Sequence, residues 1–185
     1  MLSDLPRSSA ISPLYAISAN LAGGVMIEIV GESAPDRLGW AASSADVNND
    51  GFSDVIVGAY GSHGYGRVYV LFGHNGTWTT SIAAANVGSS ISGVIFTGSQ
   101  LMSASGYIGY SVGSAGDVNK DGFEDVIVGA SWENPQGRTK AGAVWIVFGR
   151  SSWSSPMYLD ALSLPDCVII HGAIANDNLG ESIGG

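Results

Sequence analysis

The sequence predicts an all-β protein made of β-propeller blades, each a four-stranded antiparallel sheet, in an incomplete ring of about two and a half blades. Three observations carry that expectation. The segment from Asp46 to Ala59 (Asp-Val-Asn-Asn-Asp-Gly-Phe-Ser-Asp-Val-Ile-Val-Gly-Ala) recurs from Asp117 to Ala130, 71 residues on, with substitutions only at Asn49/Lys120 and Ser53/Glu124. The likeness continues downstream, where Gly66–Gly73 answers Gly142–Gly149. Self-similarity at a fixed period marks a repeat architecture. Finally, glycine reaches 27 of 185 residues while charged residues are only 12%, against ordinary levels of roughly 7% and 25%. Many turns and sheets covered on both faces produce that composition.

Taken along the chain, alternation and β-branched enrichment bounded by Gly and Asn place the strands. Residues 1–37 are expected to be the C-terminal part of a preceding blade, with a strand near 25–30 and no leader. Their opening fits that place in the repeat: Arg7-Ser8-Ser9 and Ser12-Pro13-Leu14-Tyr15 match Arg150-Ser151-Ser152 and Ser155-Pro156-Met157-Tyr158. Residues 38–98 form a complete blade with strands at 38–45, 54–60, 66–73 and 93–98. A second complete blade, 99–172, has strands at 109–115, 125–131, 142–149 and 167–171. Residues 173–185 begin a following blade. The connectors 74–92 and 150–166 share a loose pattern and are regular parts of the repeat. Two blades and two partial ones do not close a ring. The chain is therefore expected to belong to a longer polypeptide, or to be completed by blades of other chains.

Composition also excludes. A net charge of −9 and a pI near 4.4 repel a phosphate backbone, so nucleic acid is not an expected partner. The single cysteine, Cys167, allows no internal disulfide and no Cys-based zinc or iron–sulfur site. It opens a strand and is expected to be a buried apolar residue. No run of 18 apolar residues exists, so no membrane span is expected.

The acidic residues are concentrated in the repeat. Asp46, Asn48, Asp50 and Asp54 occupy positions 1, 3, 5 and 9 of a loop (46–54), and Asp117, Asn119, Asp121 and Asp125 do so in its copy (117–125). Alternate oxygen-bearing residues in a tight turn converge on one point. Gly51 or Gly122 supplies the positive φ of the turn, and the carbonyl of Phe52 or Phe123 is placed for position 7. An all-oxygen set suits Ca²⁺ rather than zinc or copper, and two sites are expected. Position 12, where an EF-hand requires a bidentate Glu, is Val57 or Val128 and the flanks are strands, so this is not an EF-hand. At ~1 mM free Ca²⁺ and a Kd of ~10⁻⁴ M, each ion stabilises the fold by about 1.4 kcal/mol. Two ions would reduce the formal charge from −9 to −5.

At these residues the sequence resembles the FG-GAP repeats of the integrin α-subunit β-propeller and related repeat proteins. The likeness covers most of the chain and is most specific in the two Asp-x-Asn-x-Asp-Gly-x-x-Asp loops followed by Val-Ile-Val-Gly-Ala. It implies Ca²⁺ at the matching residues, on the lower face of the propeller. The Phe-Gly element is here Leu38-Gly39 and Ile108-Gly109, and the Gly-Ala-Pro element is Gly58-Ala59-Tyr60 and Gly129-Ala130-Ser131. Integrin ligand binding uses the upper face and a partner subunit, and none of those residues is carried over.

Other signals are weaker. Gly109-Tyr110-Ser111-Val112-Gly113 and Gly180-Glu181-Ser182-Ile183-Gly184 match the nucleophile-elbow pattern, but both stand at one repeat position, so a structural role is expected and no catalytic residue is assigned. His63, His74 and His171 are expected to be plain surface or turn residues. Asn75-Gly76-Thr77 is the single glycosylation sequon. Trp78, Trp132 and Trp153 near loops are expected between blades, with a carbohydrate or peptide surface as the alternative. The expected function is a non-catalytic calcium-binding module for adhesion or protein binding at the cell surface or outside the cell. The alternatives are a structural subunit completed by other chains, and a propeller accompanying a hydrolase or lyase.

Overall fold

The computed structural model describes residues 18–21, 25–100, 102 and 106–184. The expected match of Arg7–Tyr15 to the end of a blade lies outside the described residues. Short β-branched and aliphatic runs form twelve strands among them: β1 (Ser18–Leu21), β2 (Val25–Val30), β3 (Ala41–Ala45), β4 (Asp54–Ala59), β5 (Arg67–Leu71), β6 (Ser81–Ala83), β7 (Gly93–Thr97), β8 (Ser111–Gly116), β9 (Asp125–Ala130), β10 (Ala143–Val147), β11 (Met157–Tyr158) and β12 (Cys167–His171). The elements between them are single 3-10 turns.

Strands β3, β4, β5 and β7 pair antiparallel in chain order, and β8, β9, β10 and β12 repeat the arrangement. These are two propeller blades, and the row of sheets is not closed. The eight strands of the two blades fall where alternation placed them, their ends shifted by up to three residues and β8 running one residue past its expected end, to Gly116.

Alternation inside each strand feeds two cores. Val68, Val70, Val94 and Phe96 leave one face of the first blade and pack on Val126, Val128, Trp145 and Val147 of the second. Their neighbours Val57, Tyr69, Leu71 and Ile95 leave the other face and meet Ile27 and Ile29 of β2. A sheet buried on both faces has few places for charge, which explains the low charged fraction.

The connectors contain structure that the sequence reading left unspecified. Strand β6 lies parallel to β2, with Ile82 opposite Ile29, and β11 lies parallel to β7, with Met157 opposite Phe96. Each connector thus reaches back and adds an edge strand to the outer strand of the blade before it. Each then turns through one 3-10 turn that buries a small or apolar residue, Ala84 or Leu159.

Glycine is required where blades meet. A Cβ on Gly58 would stand 2.1 Å from the Gly109 carbonyl of the next blade, and one on Gly129 would stand 2.4 Å from the Gly180 carbonyl. The glycine of each Val-Ile-Val-Gly-Ala run is therefore a contact glycine.

Candidate metal centre

Loop 46–53 joins β3 to β4, and the next residue, Asp54, opens β4. The turn needs two left-handed residues, Asn49 (φ 54°) and Gly51 (φ 86°); the copy uses Lys120 (φ 61°) and Gly122 (φ 95°). Gly51 and Gly122 are the positions expected. The left-handed Asn49 and Lys120 were not foreseen, since lysine gives no signal for that conformation.

Side-chain oxygens close both turns in the same way. In the first loop Asp46 accepts from the amides of Asp50 (3.1 Å) and Gly51 (2.9 Å), Asn48 Oδ1 accepts from the Asp50 amide (3.1 Å), and Asp50 accepts from the Phe52 amide (2.9 Å). The second loop repeats each bond. Asp117 accepts from the amides of Asp121 (3.0 Å) and Gly122 (2.9 Å), Asn119 from Asp121 (3.1 Å), and Asp121 from Phe123 (3.0 Å). Four of the five expected residues in each loop, the first three side-chain positions and the phenylalanine, are thereby gathered into one turn.

The fifth stands apart. Asp54 is wholly buried and uses both carboxylate oxygens on amides, accepting from Val47 (2.9 Å) and from Gly73 (2.8 Å). Asp125 does the same with Val118 (2.8 Å) and Gly149 (2.9 Å). Each ties its loop to the end of the third strand of the blade. Burial pushes the Asp54 carboxyl up to about 6; the two amides oppose this, and the charges of Asp50 and Asp46 add to it. Asp125 is raised for the same reasons. Gly73 and Gly149 were missed as partners, although their recurrence at one repeat position was the available signal.

Among the described residues, no group of three or more His, Cys, Asp or Glu side chains is gathered around one point as for a metal ion. The donor chemistry nonetheless fits a hard cation. The set is entirely oxygen, and each carboxylate oxygen that accepts one amide retains a second lone pair. The two loops also touch: the Asp46 amide donates to Glu124 Oε2 (3.0 Å), and the Glu124 amide donates to the Asp46 carbonyl (3.2 Å).

The remaining candidates fall elsewhere. Ser111 is buried and its hydroxyl donates to the Gly180 carbonyl of the next repeat (2.7 Å). His63 lies 2.8 Å from Glu32, which also accepts from Tyr69 (2.7 Å) and pairs with Arg67. His74 stacks on Trp78 beside the exposed Asn75, and His171 is exposed. Cys167 is buried. Trp153 packs between blades against Phe72 and Phe96. Trp132 instead joins Trp40, Tyr60, Tyr107 and Tyr110 in a partly exposed cluster at the strand ends away from the Asp loops, with Lys140 over its ring.

Comparison with known proteins agrees with this geometry. The FG-GAP repeat profile matches residues 38–71 and 109–147, the first three strands of each blade. Bovine phosphatidylinositol-glycan-specific phospholipase D is 36% identical over 119 residues, 61% of this chain and 13% of that protein. Drosophila melanogaster integrin alpha-PS2 is 28% identical over 168 residues, 79% of this chain and 11% of that protein. Xenopus laevis integrin alpha-4 is 33% identical over 141 residues, 75% of this chain and 12% of that protein. The chain thus spans about one eighth of the length of these relatives. It carries FG-GAP repeats, built as blades of a β-propeller.

Proposed function

We propose that the chain is a non-catalytic, calcium-stabilised propeller segment that acts outside the cell or at its surface in adhesion or protein–protein binding. The observation that carries this reading is the duplicated loop, with the same oxygens accepting from the same amides in both copies. Asp46, Asn48, Asp50, the Phe52 carbonyl and Asp54 would hold one Ca²⁺. Asp117, Asn119, Asp121, the Phe123 carbonyl and Asp125 would hold the other. The ion supplies positive charge between carboxylates that otherwise repel, and so ties each loop to its blade. In this reading the blade boundaries are 38–98 and 99–172, flanked by partial blades at 1–37 and 173–185.

Integrin relatives support a protein partner and an extracellular setting, and the exposed Asn75 is a glycan site in that setting. The phospholipase D relative favours a second reading, in which these blades accompany an enzyme without catalysing. Ca²⁺ titrated into chelator-treated protein is expected to raise the Tm by several degrees, as about 1.4 kcal/mol per site would at this size. Asp50→Ala with Asp121→Ala should abolish the rise. An unmoved Tm, or a response that survives the double substitution, overturns the assignment.

A further inference from the structure

In the connector that follows the third strand of the first blade, three consecutive residues are set for a covalent rearrangement. His74-Asn75-Gly76 holds the only asparagine in the chain that is followed by glycine, and all three residues are exposed. The ring of His74 is held by stacking on Trp78, with centroids 4.4 Å apart and planes 19° from parallel. In that position its Nδ1 accepts the hydrogen of the Gly76 amide at 3.0 Å. Acceptance requires a lone pair on Nδ1, so the imidazole is neutral and carries its proton on Nε2. A Cβ on Gly76 would stand 2.9 Å from Nδ1 and displace the ring. Glycine is therefore what lets the imidazole reach this amide.

The backbone nitrogen that follows an asparagine can attack the side-chain carbonyl carbon, because the new bond closes a five-membered ring. Two obstacles ordinarily slow this attack. A side chain on the following residue crowds the ring, and the amide proton leaves the nitrogen a poor nucleophile. Gly76 removes the first obstacle. His74 addresses the second, as a base within hydrogen-bond reach of the proton to be moved. The corresponding residues after the third strand of the second blade, Arg150-Ser151-Ser152, hold neither an asparagine nor a base, and Arg150 is engaged with Asp166 (2.8 Å).

We propose that Asn75 is a site of self-catalysed deamidation in which His74 is the general base. Nδ1 takes the Gly76 amide proton as that nitrogen forms a bond to Asn75 Cγ. The bond from Cγ to the side-chain nitrogen then breaks, and ammonia leaves with the proton that the imidazole returns. The product is a succinimide, which one water molecule opens to aspartate or, by attack at the other carbonyl, to isoaspartate. The conversion takes the formal charge from −9 to −10 and removes the glycan acceptor, so glycosylation and deamidation exclude each other at this residue. The chemistry rests on neither the calcium reading nor the extracellular one, and each can fail without the other.

Incubation of the chain, produced without glycosylation, at neutral pH and peptide mass spectrometry over time provide the test. The peptide that holds Asn75 should gain the mass of an amide-to-carboxylate conversion, contain isoaspartate, and do so before any other asparagine of the chain. His74→Phe keeps a flat ring to stack on Trp78 but has no base, and His74→Gln keeps an acceptor for the Gly76 amide without the basicity. Each should slow the conversion about tenfold or more. In concentrated urea the three chains should convert at similar rates, because the folded loop is what sets the ring against the amide. An Asn75 that stays unchanged in the folded wild type, variants that convert as fast as wild type, or a difference of the same size in urea would each overturn the proposal. Should His74→Phe lose the wild-type melting transition, His74→Gln decides under the same criteria.

Discussion

Asp54 and Asp125 look interchangeable with the other loop acids in the sequence, but they do different work. Their carboxylates hold the loop to the far end of the third strand through the amides of Gly73 and Gly149, while Asp46 and Asp50 shape the turn itself. Two glycines separate in the same way. Gly51 has φ 86° with nothing within 4 Å of a Cβ, so Gly51→Ala should cost only the left-handed penalty, about 1–2 kcal/mol. At Gly58 a Cβ meets a backbone carbonyl at 2.1 Å, and Gly58→Ala should cost about 3 kcal/mol or more; urea melts of the two variants check the order. Glu32 supplies a pH-dependent contribution. Burial raises its pKa, but hydrogen bonds from Tyr69 and His63 and the Arg67 charge together hold it below the ordinary glutamate value. A pKa depressed in the folded state gives stability that is present above the unfolded value, roughly 4.3, and is lost as pH falls through the folded one. The stability advantage of wild type over Glu32→Gln should therefore be present at pH 6 and shrink towards pH 3, as read by urea melts. The loop acids were legible because their spacing is local. The bonds joining Glu32 to Arg67 and Tyr69, or Asp46 to Glu124, were not, because they link residues more than thirty positions apart.

Among the elements, β2 and the eight strands of the two blades were readable from alternation, and β6 and β11 were not. Two or three residues give no period to detect, and these strands exist because an outer edge is available to pair with them. Their contribution is testable: Met157 is 8% exposed and packs opposite Phe96, so Met157→Ala should cost about 2–3 kcal/mol. Hydrogen exchange in that variant should rise first along β7, the strand that loses its cover, while β9 and β10 stay protected. Equal loss of protection in all strands would mean that β11 does not guard the edge of β7 separately.

The molecule as a whole is a row of blades in which each sheet lends one face to the blade before it and one to the blade after. That arrangement explains why β4, β5 and β9 read as nearly continuous apolar runs, and why the second blade, lacking a following sheet in the structure, exposes Val168 and Ile170. The repeat, the blade class, the strand positions and the loop oxygens could all be derived from the order of residues, because each depends on periodicity or on neighbours a few positions apart. The tertiary arrangement settled the rest: the two amide partners of each buried aspartate, the glycines that let blades touch, and the back-reaching strands that cover each outer edge. These depend on which surfaces meet after the chain has turned through a full blade, and no local pattern encodes that meeting.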